Sequence, residues 1–159
     1  GLKFFNVYGP NEYHKGAMQS LVAKSFPAAA AGDSVTLFRS HDANFPDGGQ
    51  MRDFVYVQDC VAAMLWLLDH PDVSGLFNLG TGKARSFTDL IESVFHAMNM
   101  EPKIDWIDTP AEIQDHYQYF TQAEMGRLGE AGYHTEFMSL EDGVGAYVRL
   151  FLATDDPYR

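Results

Sequence analysis

Hydrophobic positions along this chain fall into two alternating patterns, short apolar runs and longer amphipathic segments. The short runs are typical of buried strands, and we predict strands over 1–8, 35–38, 53–57, 76–79 and 104–107. Apolar residues spaced three and four apart predict helices over 15–31, 60–69, from 86 onward, within 121–132 and over 139–153. This alternation of strands and helices predicts an α/β fold.

Residues that start or stop helices stand at most of these boundaries. In chain order they are Gly32, Asp59, Pro71, Ser86 with Asp89, Thr121 with Glu124, and Ser139 with Asp142. Pro27 predicts a kink or an early break in the first helix, because proline lacks the N–H that an interior turn requires. Residues 41–50, rich in Asn, Asp, Pro and Gly, predict a loop of the length that often contacts ligands.

The chain begins with Gly1, directly inside an apolar run. Natural domains rarely start within a strand, so we expect that a large upstream part is missing; a trimmed terminus or an expression scar is the alternative. The early strand–helix units and the later capped helices also do not resemble one self-contained doubly wound sheet.

Composition argues against a nucleic-acid-binding protein and against a membrane-spanning protein. The 159 residues carry 11 Lys and Arg against 22 Asp and Glu, a formal net charge of −11, and no block of cations that could follow a phosphate backbone. We therefore expect no nucleic-acid partner. The apolar run Val61–Leu68 is far shorter than the roughly 18 residues that a membrane helix needs, so we expect no membrane span. A single cysteine, Cys60, fits a reducing compartment, and we expect a cytoplasmic protein with an inert, packed thiol.

Common catalytic motifs are missing from these residues. Gly80-Thr81-Gly82 lacks the third glycine of a dinucleotide-binding loop and is predicted to be a plain strand-to-helix turn. There is no serine nucleophile elbow, and the histidines have no metal-ligand spacing, so we expect no metal.

Three ordered segments carry a family resemblance. They are Asn6-Val7-Tyr8-Gly9-Pro10, Arg52-Asp53-Phe54-Val55-Tyr56-Val57-Gln58-Asp59 and Phe77-Asn78-Leu79-Gly80. Together they resemble the second half of the extended short-chain dehydrogenase/reductase family of nucleotide-sugar enzymes. Within that family, Asn6–Gly16, His116–Thr121 and Ala131–Tyr133 resemble the branch that epimerises ADP-heptoses at C6 for lipopolysaccharide core assembly.

The resemblance implies an architecture. It implies the C-terminal portion of a Rossmann-like parallel sheet plus a small α/β substrate-binding domain, with segments 1–15 and about 53–75 belonging to the Rossmann remnant. The NADP-binding loop and the Tyr-x-x-x-Lys pair of that family lie outside these residues, so we expect the chain alone to be inactive. It also implies an ADP-sugar substrate and a homo-oligomer, with a pentamer among the options. An exposed half-sheet could add self-association of the fragment.

The resemblance also implies roles for individual residues. Lys15 is implied as a catalytic acid/base and cofactor contact, and Val7 as a cofactor contact. Substrate contacts are implied for Asn6, Ala17, Lys24, Phe38, Arg39, Ser40, His41, Arg52 and Tyr117. Arg52 would hold the diphosphate and Phe38 would lie near the adenine. Two of these positions depart from the family, because Ala17 and Lys24 stand where its pattern has Ser and His.

Other interpretations of these residues stay open from the sequence. Lys15 could be a solvated surface lysine, Arg52 could form a structural ion pair with Asp53 or Asp59, and Tyr117 could be core packing. The chain could also belong to an epimerase or dehydratase acting on a UDP-, GDP- or dTDP-sugar, or be a non-catalytic sugar-nucleotide-binding module.

Overall fold

A computed structural model describes residues 1–156 of the chain. Its strands are β1 (Leu2–Phe4), β2 (Asn6–Tyr8), β3 (Val35–Phe38), β4 (Met51–Arg52), β5 (Phe54–Tyr56), β6 (Phe77–Leu79), β7 (Arg85–Ser86) and β8 (Ile104–Ile107). Its α-helices are α1 (Leu21–Ala30), α2 (Val57–Asp69), α3 (Phe87–Ala97), α4 (Ala111–Gln114), α5 (Gly126–Glu130) and α6 (Leu140–Tyr147). A 3₁₀ segment spans Tyr13–Met18, and α6 continues as a π-helical turn over Val148–Leu152.

The apolar run at the beginning of the chain forms two strands rather than one. β1 pairs in parallel with β6, and β2 pairs in parallel with β5. The chain changes partner at Phe5: the Phe5 N–H donates to the carbonyl of Leu79 at 3.0 Å, and the Asn6 N–H donates to that of Asp53 at 3.0 Å. The apolar run therefore pairs with two segments that are separated in sequence, 53–57 and 77–79.

The remaining strands form two further pairs. β3 and β8 are parallel over four residues, and β4 and β7 are antiparallel over two. The described residues thus contain short sheet pairs, mostly parallel, rather than one doubly wound sheet. The predicted α/β class is confirmed.

Two apolar clusters hold these elements together. In the larger one, the buried face of α3 packs against α1 and α6. That face consists of Leu90, Ile91, Val94 and Phe95, all at most 1% exposed and spaced at helical intervals. The smaller cluster joins β6, α2 and α5 and contains the buried Cys60.

The capping predictions at Ser86 and Ser139 are confirmed. Ser86 and Asp89 form a reciprocal capping box at the start of α3, and the Ser139 hydroxyl accepts the N–H of Asp142 at 3.1 Å. Pro27 lies inside α1 without ending it, and the helix runs to Ala30, close to the predicted stop at Gly32.

The predicted start of the first helix is wrong. Residues 15–19 are not part of α1, because Gly16 has φ +52° and interrupts the 3₁₀ segment. Ser20 caps α1 instead, its hydroxyl accepting the N–H of Ala23 at 3.3 Å. The buried carboxylate of Glu12 accepts from the Ser20 N–H at 2.6 Å and from its hydroxyl at 2.7 Å.

Two other predicted caps are wrong. α2 already begins at Val57, so Asp59 lies in its first turn, where the carboxylate accepts the N–H of Met138 at 3.0 Å. Thr121 caps no helix either, since its N–H donates to the carbonyl of Met51 at 3.2 Å and α5 begins only at Gly126. At both Asp59 and Thr121, a backbone group distant in sequence forms the hydrogen bond that was predicted to form within a helix start.

Candidate active site

An apolar cavity of about 330 Å³ brings together residues from five separate segments. Among its lining residues are Leu21 and Lys24 of α1, Phe38 at the end of β3, Phe87 at the start of α3, and Tyr117. Three of these, Lys24, Phe38 and Tyr117, are residues whose substrate role the family resemblance implies. Aromatic walls with a cation at the rim are suited to a base or ribose with attached phosphates.

Arg52 lies beside this cavity, between two aromatic rings. Its guanidinium carbon is 5.7 Å from the centroid of Phe87 and 5.8 Å from that of Tyr117, and its Nη1 donates to the carbonyl of Met51 at 2.8 Å. Burial lowers the pKa of Arg52 and raises the pKa of Tyr117 from their ordinary values. A half-buried guanidinium held on aromatic faces is well placed to receive an anion.

The predicted alternative for Arg52, an ion pair with Asp53 or Asp59, is wrong. Within residues 1–156 no carboxylate lies within 4 Å of the Arg52 guanidinium. The Asp59 carboxylate accepts the Met138 N–H. Asp53 has a different role, which was not predicted from the sequence.

Asp53 is fully buried and binds the turn that follows β6. One carboxylate oxygen accepts from the N–H and the hydroxyl of Thr81, each at 2.7 Å. The other accepts from the N–H of Gly82 at 2.9 Å and of Ala123 at 3.0 Å. The glycine turn at 80–82 is thus organised by a carboxylate of this chain, which confirms that it is a structural turn. One feature of the sequence indicated this role: Asp53 directly precedes the strand Phe54–Tyr56, whose three residues are all buried.

The loop that follows Phe38 folds back beside the same cavity. Arg39 is half exposed and lies 3.7 Å from Asp47 and 3.5 Å from Asp108, so acidic neighbours already surround its charge. The Ser40 N–H donates to the other oxygen of Asp47 at 2.8 Å. His41 packs its ring edge against Tyr117, with 5.8 Å between centroids.

Lys24 and Ala17, the two departures from the family pattern, are in direct contact. The Lys24 ammonium donates to the carbonyl of Ala17. Both residues are exposed, and Lys24 also lines the 330 Å³ cavity. A lysine in this position adds a positive charge at the rim of the cavity, close to its aromatic wall.

A second cavity, of about 560 Å³, contains the cofactor and acid/base candidates. Val7 and Lys15 both line it, together with Gly9, Glu12 and Val57. Glu12 is buried and its carboxylate is bound to Ser20, so it does not neutralise Lys15. Within residues 1–156 the Lys15 ammonium has no carboxylate within 4 Å.

Asn6 lies between the two cavities. It lines a smaller space of about 190 Å³ with Val7, Leu21 and Phe87. Leu21 and Phe87 also line the 330 Å³ cavity, and Val7 also lines the 560 Å³ cavity. The exposed side of β2 therefore connects the lysine end of the site with the aromatic end.

A further cavity of about 650 Å³ contains none of the predicted residues. Its lining includes Arg85, which is paired with Asp89 at 3.1 Å and Glu141 at 2.6 Å. Over residues 1–156 no cluster of three or more His, Cys, Asp or Glu is arranged to bind a metal ion. In that same range no helix has both the length and the apolarity to cross a bilayer.

A family model described as the NAD dependent epimerase/dehydratase family matches residues 1–80. The chain belongs to this family. The matched range contains Asn6, Val7, Lys15, Lys24 and Arg52, and of the predicted site residues only Tyr117 lies outside it.

Named members of the epimerase/dehydratase family are similar to nearly the whole chain. ADP-L-glycero-D-manno-heptose-6-epimerase of Nitratidesulfovibrio vulgaris (strain Hildenborough) is 54% identical over 157 residues, which are 99% of this chain and 49% of that protein. The enzyme of the same name from Fusobacterium nucleatum subsp. nucleatum is 46% identical over 164 residues, which again cover 99% of this chain and 49% of that protein. The chain spans about half the length of these relatives.

A solved structure shows the same fold. The crystal structure of Helicobacter pylori ADP-L-glycero-D-manno-heptose-6-epimerase matches 93% of this chain and 42% of its own, with 30% sequence identity and a TM-score of 0.75. The fold of this chain is therefore that of the matching part of an epimerase.

Proposed function

We propose that this chain is the C-terminal half of an NADP-dependent epimerase that interconverts ADP-D-glycero-D-manno-heptose and ADP-L-glycero-D-manno-heptose at C6. The observation that carries the proposal is the Arg52 guanidinium beside an aromatic cavity, with no ion pair among residues 1–156, in a chain 54% identical to an enzyme of that name. The ADP-heptose product would be used to build the heptose core of lipopolysaccharide. We also propose a cytoplasmic location.

Arg52 would bind the diphosphate and the aromatic cavity would bind the nucleoside. A planar guanidinium offers parallel N–H donors to phosphate oxygens, and Phe87 and Tyr117 hold its plane in place. Phe38 would pack near the adenine, with Lys24, Ala17 and the segment from Arg39 to His41 around it. Asn6, between the cavities, would contact a hydroxyl of the sugar.

Lys15 would act at the sugar end. When bound, NADP would supply the hydride acceptor and donor for C6. Inversion then needs one group that takes the proton from the C6 hydroxyl during oxidation and a group on the other side of the sugar that returns a proton to the C6 oxygen during reduction. Lys15 would hold and transfer that proton from one side, and Val7 would contact the cofactor through its backbone. The shared cavity of Val7 and Lys15 and the absence of an ion pair at Lys15 within residues 1–156 support this role.

We further propose that segments 1–15 and about 53–75 belong to the Rossmann part of the intact enzyme. The parallel pairing of β2 with β5 supports this assignment. β6, which pairs in parallel with β1, would belong to the same sheet, and the remaining elements would form the substrate-binding domain. NADP would be bound mainly by the other half, so the 159-residue chain alone should show neither micromolar NADP binding by calorimetry nor turnover.

We propose that the intact enzyme is a homo-oligomer. One face of α2 exposes Val61, Leu65 and Leu68, the last at 75%, which is unusual for a surface that stays in water. Sedimentation of the full-length protein checks this proposal, and a monomer at micromolar concentration would contradict it.

The substrate is tested on the full-length protein. We expect turnover of ADP-heptose with NADP in preference to NAD, and thermal stabilisation by ADP rather than UDP. Lys15→Met should reduce epimerisation by at least about 100-fold while leaving the melting temperature unchanged; Lys103→Met, at a lysine whose ammonium binds the carbonyl of Gly32 far along the chain, is the control. Preferential turnover of a UDP-sugar would contradict the ADP-heptose assignment.

A further inference from the structure

The hydroxyl of Tyr119 lies at the centre of a hydrogen-bond cluster in the loop that follows β3. The backbone N–H groups of His41 and Asp42 both donate to Tyr119 Oη, at 2.8 and 3.1 Å. Tyr119 Oη is also 2.9 Å from Nδ1 of His41. One phenol therefore binds two successive residues of the loop.

Four polar groups surround this hydroxyl, because Ser40 Oγ also lies 3.3 Å from it. A phenol offers two lone pairs and one hydrogen. The N–H groups of His41 and Asp42 donate to the phenol oxygen, and Nδ1 of His41 is its partner from the ring. The other ring nitrogen of His41, Nε2, lies 3.3 Å from the carbonyl oxygen of Gln114. The Ser40 hydroxyl donates to the carbonyl of Asp42 at 2.7 Å and accepts the Asp42 N–H at 3.1 Å, so the cluster joins residues 40–42 to Tyr119.

Tyr119 is itself held in place from both sides. Its carbonyl accepts the N–H of Met51 at 2.8 Å, next to the bridge between Met51 and Phe120. Its ring packs against Phe45 of the same loop, with 4.8 Å between centroids. The anchor on which the loop rests is therefore attached to β4, the strand that carries Arg52.

The same aromatic group reaches the nucleotide end of the site. The centroids of Tyr119 and Tyr117 are 5.4 Å apart, those of His41 and Tyr117 are 5.8 Å apart, and Tyr117 is one of the two rings beside Arg52. A displacement of the loop at His41 would thus remove the packing behind Tyr117.

We propose that Tyr119 is a positioning residue that holds the segment Arg39–Asp47 against Tyr117 and so shapes the nucleotide end of the site. This inference rests on the proposed function for the identity of the ligand. The arrangement of the loop stands on the geometry alone. Tyr119 acts through His41, Asp42 and Tyr117 and needs no contact with substrate.

Tyr119→Phe in the full-length protein tests this role, because it removes the hydroxyl and keeps the ring. Tyr133→Phe is a matched control, since Tyr133 packs with Trp66 and Phe137 in the other apolar cluster. Amide hydrogen exchange at His41 and Asp42 should become at least about tenfold faster in Tyr119→Phe only. The Kd for ADP and the KM for ADP-heptose should rise by about five- to twentyfold, with kcat and the KM for NADP unchanged.

The outcomes separate this inference from the proposed function. Unchanged exchange at His41 and Asp42 in Tyr119→Phe overturns the positioning role. Faster exchange with unchanged ADP affinity overturns the link between the loop and the nucleotide end. A wild-type protein that binds no ADP contradicts the proposed function, and the exchange rates then still decide whether Tyr119 holds the loop.

Discussion

The carboxylate of Asp53 accepts both the backbone N–H and the hydroxyl of Thr81, each at 2.7 Å, across 28 positions of sequence. This contact joins the residue that follows Arg52 to the turn after β6. The candidate anion site and the glycine turn are therefore parts of one hydrogen-bonded unit.

Asp53→Asn should destabilise the protein by about 3 kcal/mol. The substitution puts an NH₂ group where an oxygen now accepts two hydrogen bonds, and the donors left over are half-buried at Gly82 and buried at Ala123. Urea unfolding measures the loss. Asp72→Asn, at an exposed position, is the control and should change the free energy of unfolding by less than about 0.5 kcal/mol. Equal stability of the two variants would contradict this account of Asp53.

Gly143→Ala should destabilise the protein although alanine favours helices. A Cβ at Gly143 would lie 2.2 Å from the hydroxyl oxygen of Tyr8, a residue only 3% exposed. We expect a loss of about 1–3 kcal/mol from this overpacking. Gly129→Ala meets nothing within 4 Å and should be neutral or stabilising by about 0.5 kcal/mol. Thermal unfolding of both variants checks the difference in sign.

Arg52→Lys should weaken ADP binding by the full-length protein by about tenfold or more. Lysine keeps the charge and loses the planar fork that two aromatic rings hold in place. Arg127→Lys is a matched control, because Arg127 also lies over an aromatic ring, that of Phe77 at 5.8 Å, outside the candidate site. Calorimetric titration with ADP measures both variants. Equal affinities would remove Arg52 from the diphosphate site.

We expect the buried thiol of Cys60 to lower the free energy of unfolding at alkaline pH. Burial raises the pKa of its thiol from 9.0 to about 12, so the unfolded chain releases this proton at lower pH than the folded one. The resulting stability is complete below about pH 9 and is lost as the pH rises from there towards 12.

Comparison with Cys60→Ala isolates this contribution. The difference in free energy of unfolding between wild type and Cys60→Ala should shrink by about 1 kcal/mol between pH 7.5 and pH 10. Urea unfolding at both pH values provides the measurement. Buried tyrosines act in the same direction in both proteins and cancel in the difference. A difference that is constant with pH would show that the thiol ionises normally in the fold.

Several elements of the fold were predictable because they depend on neighbours in sequence. The α3 capping box needs only Ser86 and Asp89, three positions apart, and the buried face of that helix follows from its 3.6-residue period. The strand around Val55 was likewise evident from its apolar run. The motif Asn6-Val7-Tyr8-Gly9-Pro10, together with segments 52–59 and 77–80, indicated the family to which the chain belongs.

Predictions failed where a distant group competed for the same atoms. Asp is a residue type that favours helix caps, but the Asp59 carboxylate accepts the Met138 N–H, 79 positions away. The prediction for Thr121 failed for a similar reason, because the Thr121 N–H donates to the carbonyl of Met51. Gly16, with φ +52°, interrupts the helix that the apolar spacing favoured, and Ser20, bound by the Glu12 carboxylate eight positions earlier, begins α1 instead.

The sequence by itself determined the fold class, the family and which residues could carry the chemistry, because strand and helix periods and a short ordered motif are local properties. Only the tertiary structure decided how those residues are used. Among the residues up to 156, it leaves the Arg52 guanidinium between two rings with no carboxylate within 4 Å, and it assigns Asp53 to a turn 28 residues away. Hydrogen bonds depend on distances of about 3 Å, and segments far apart in sequence reach such distances only when the chain folds.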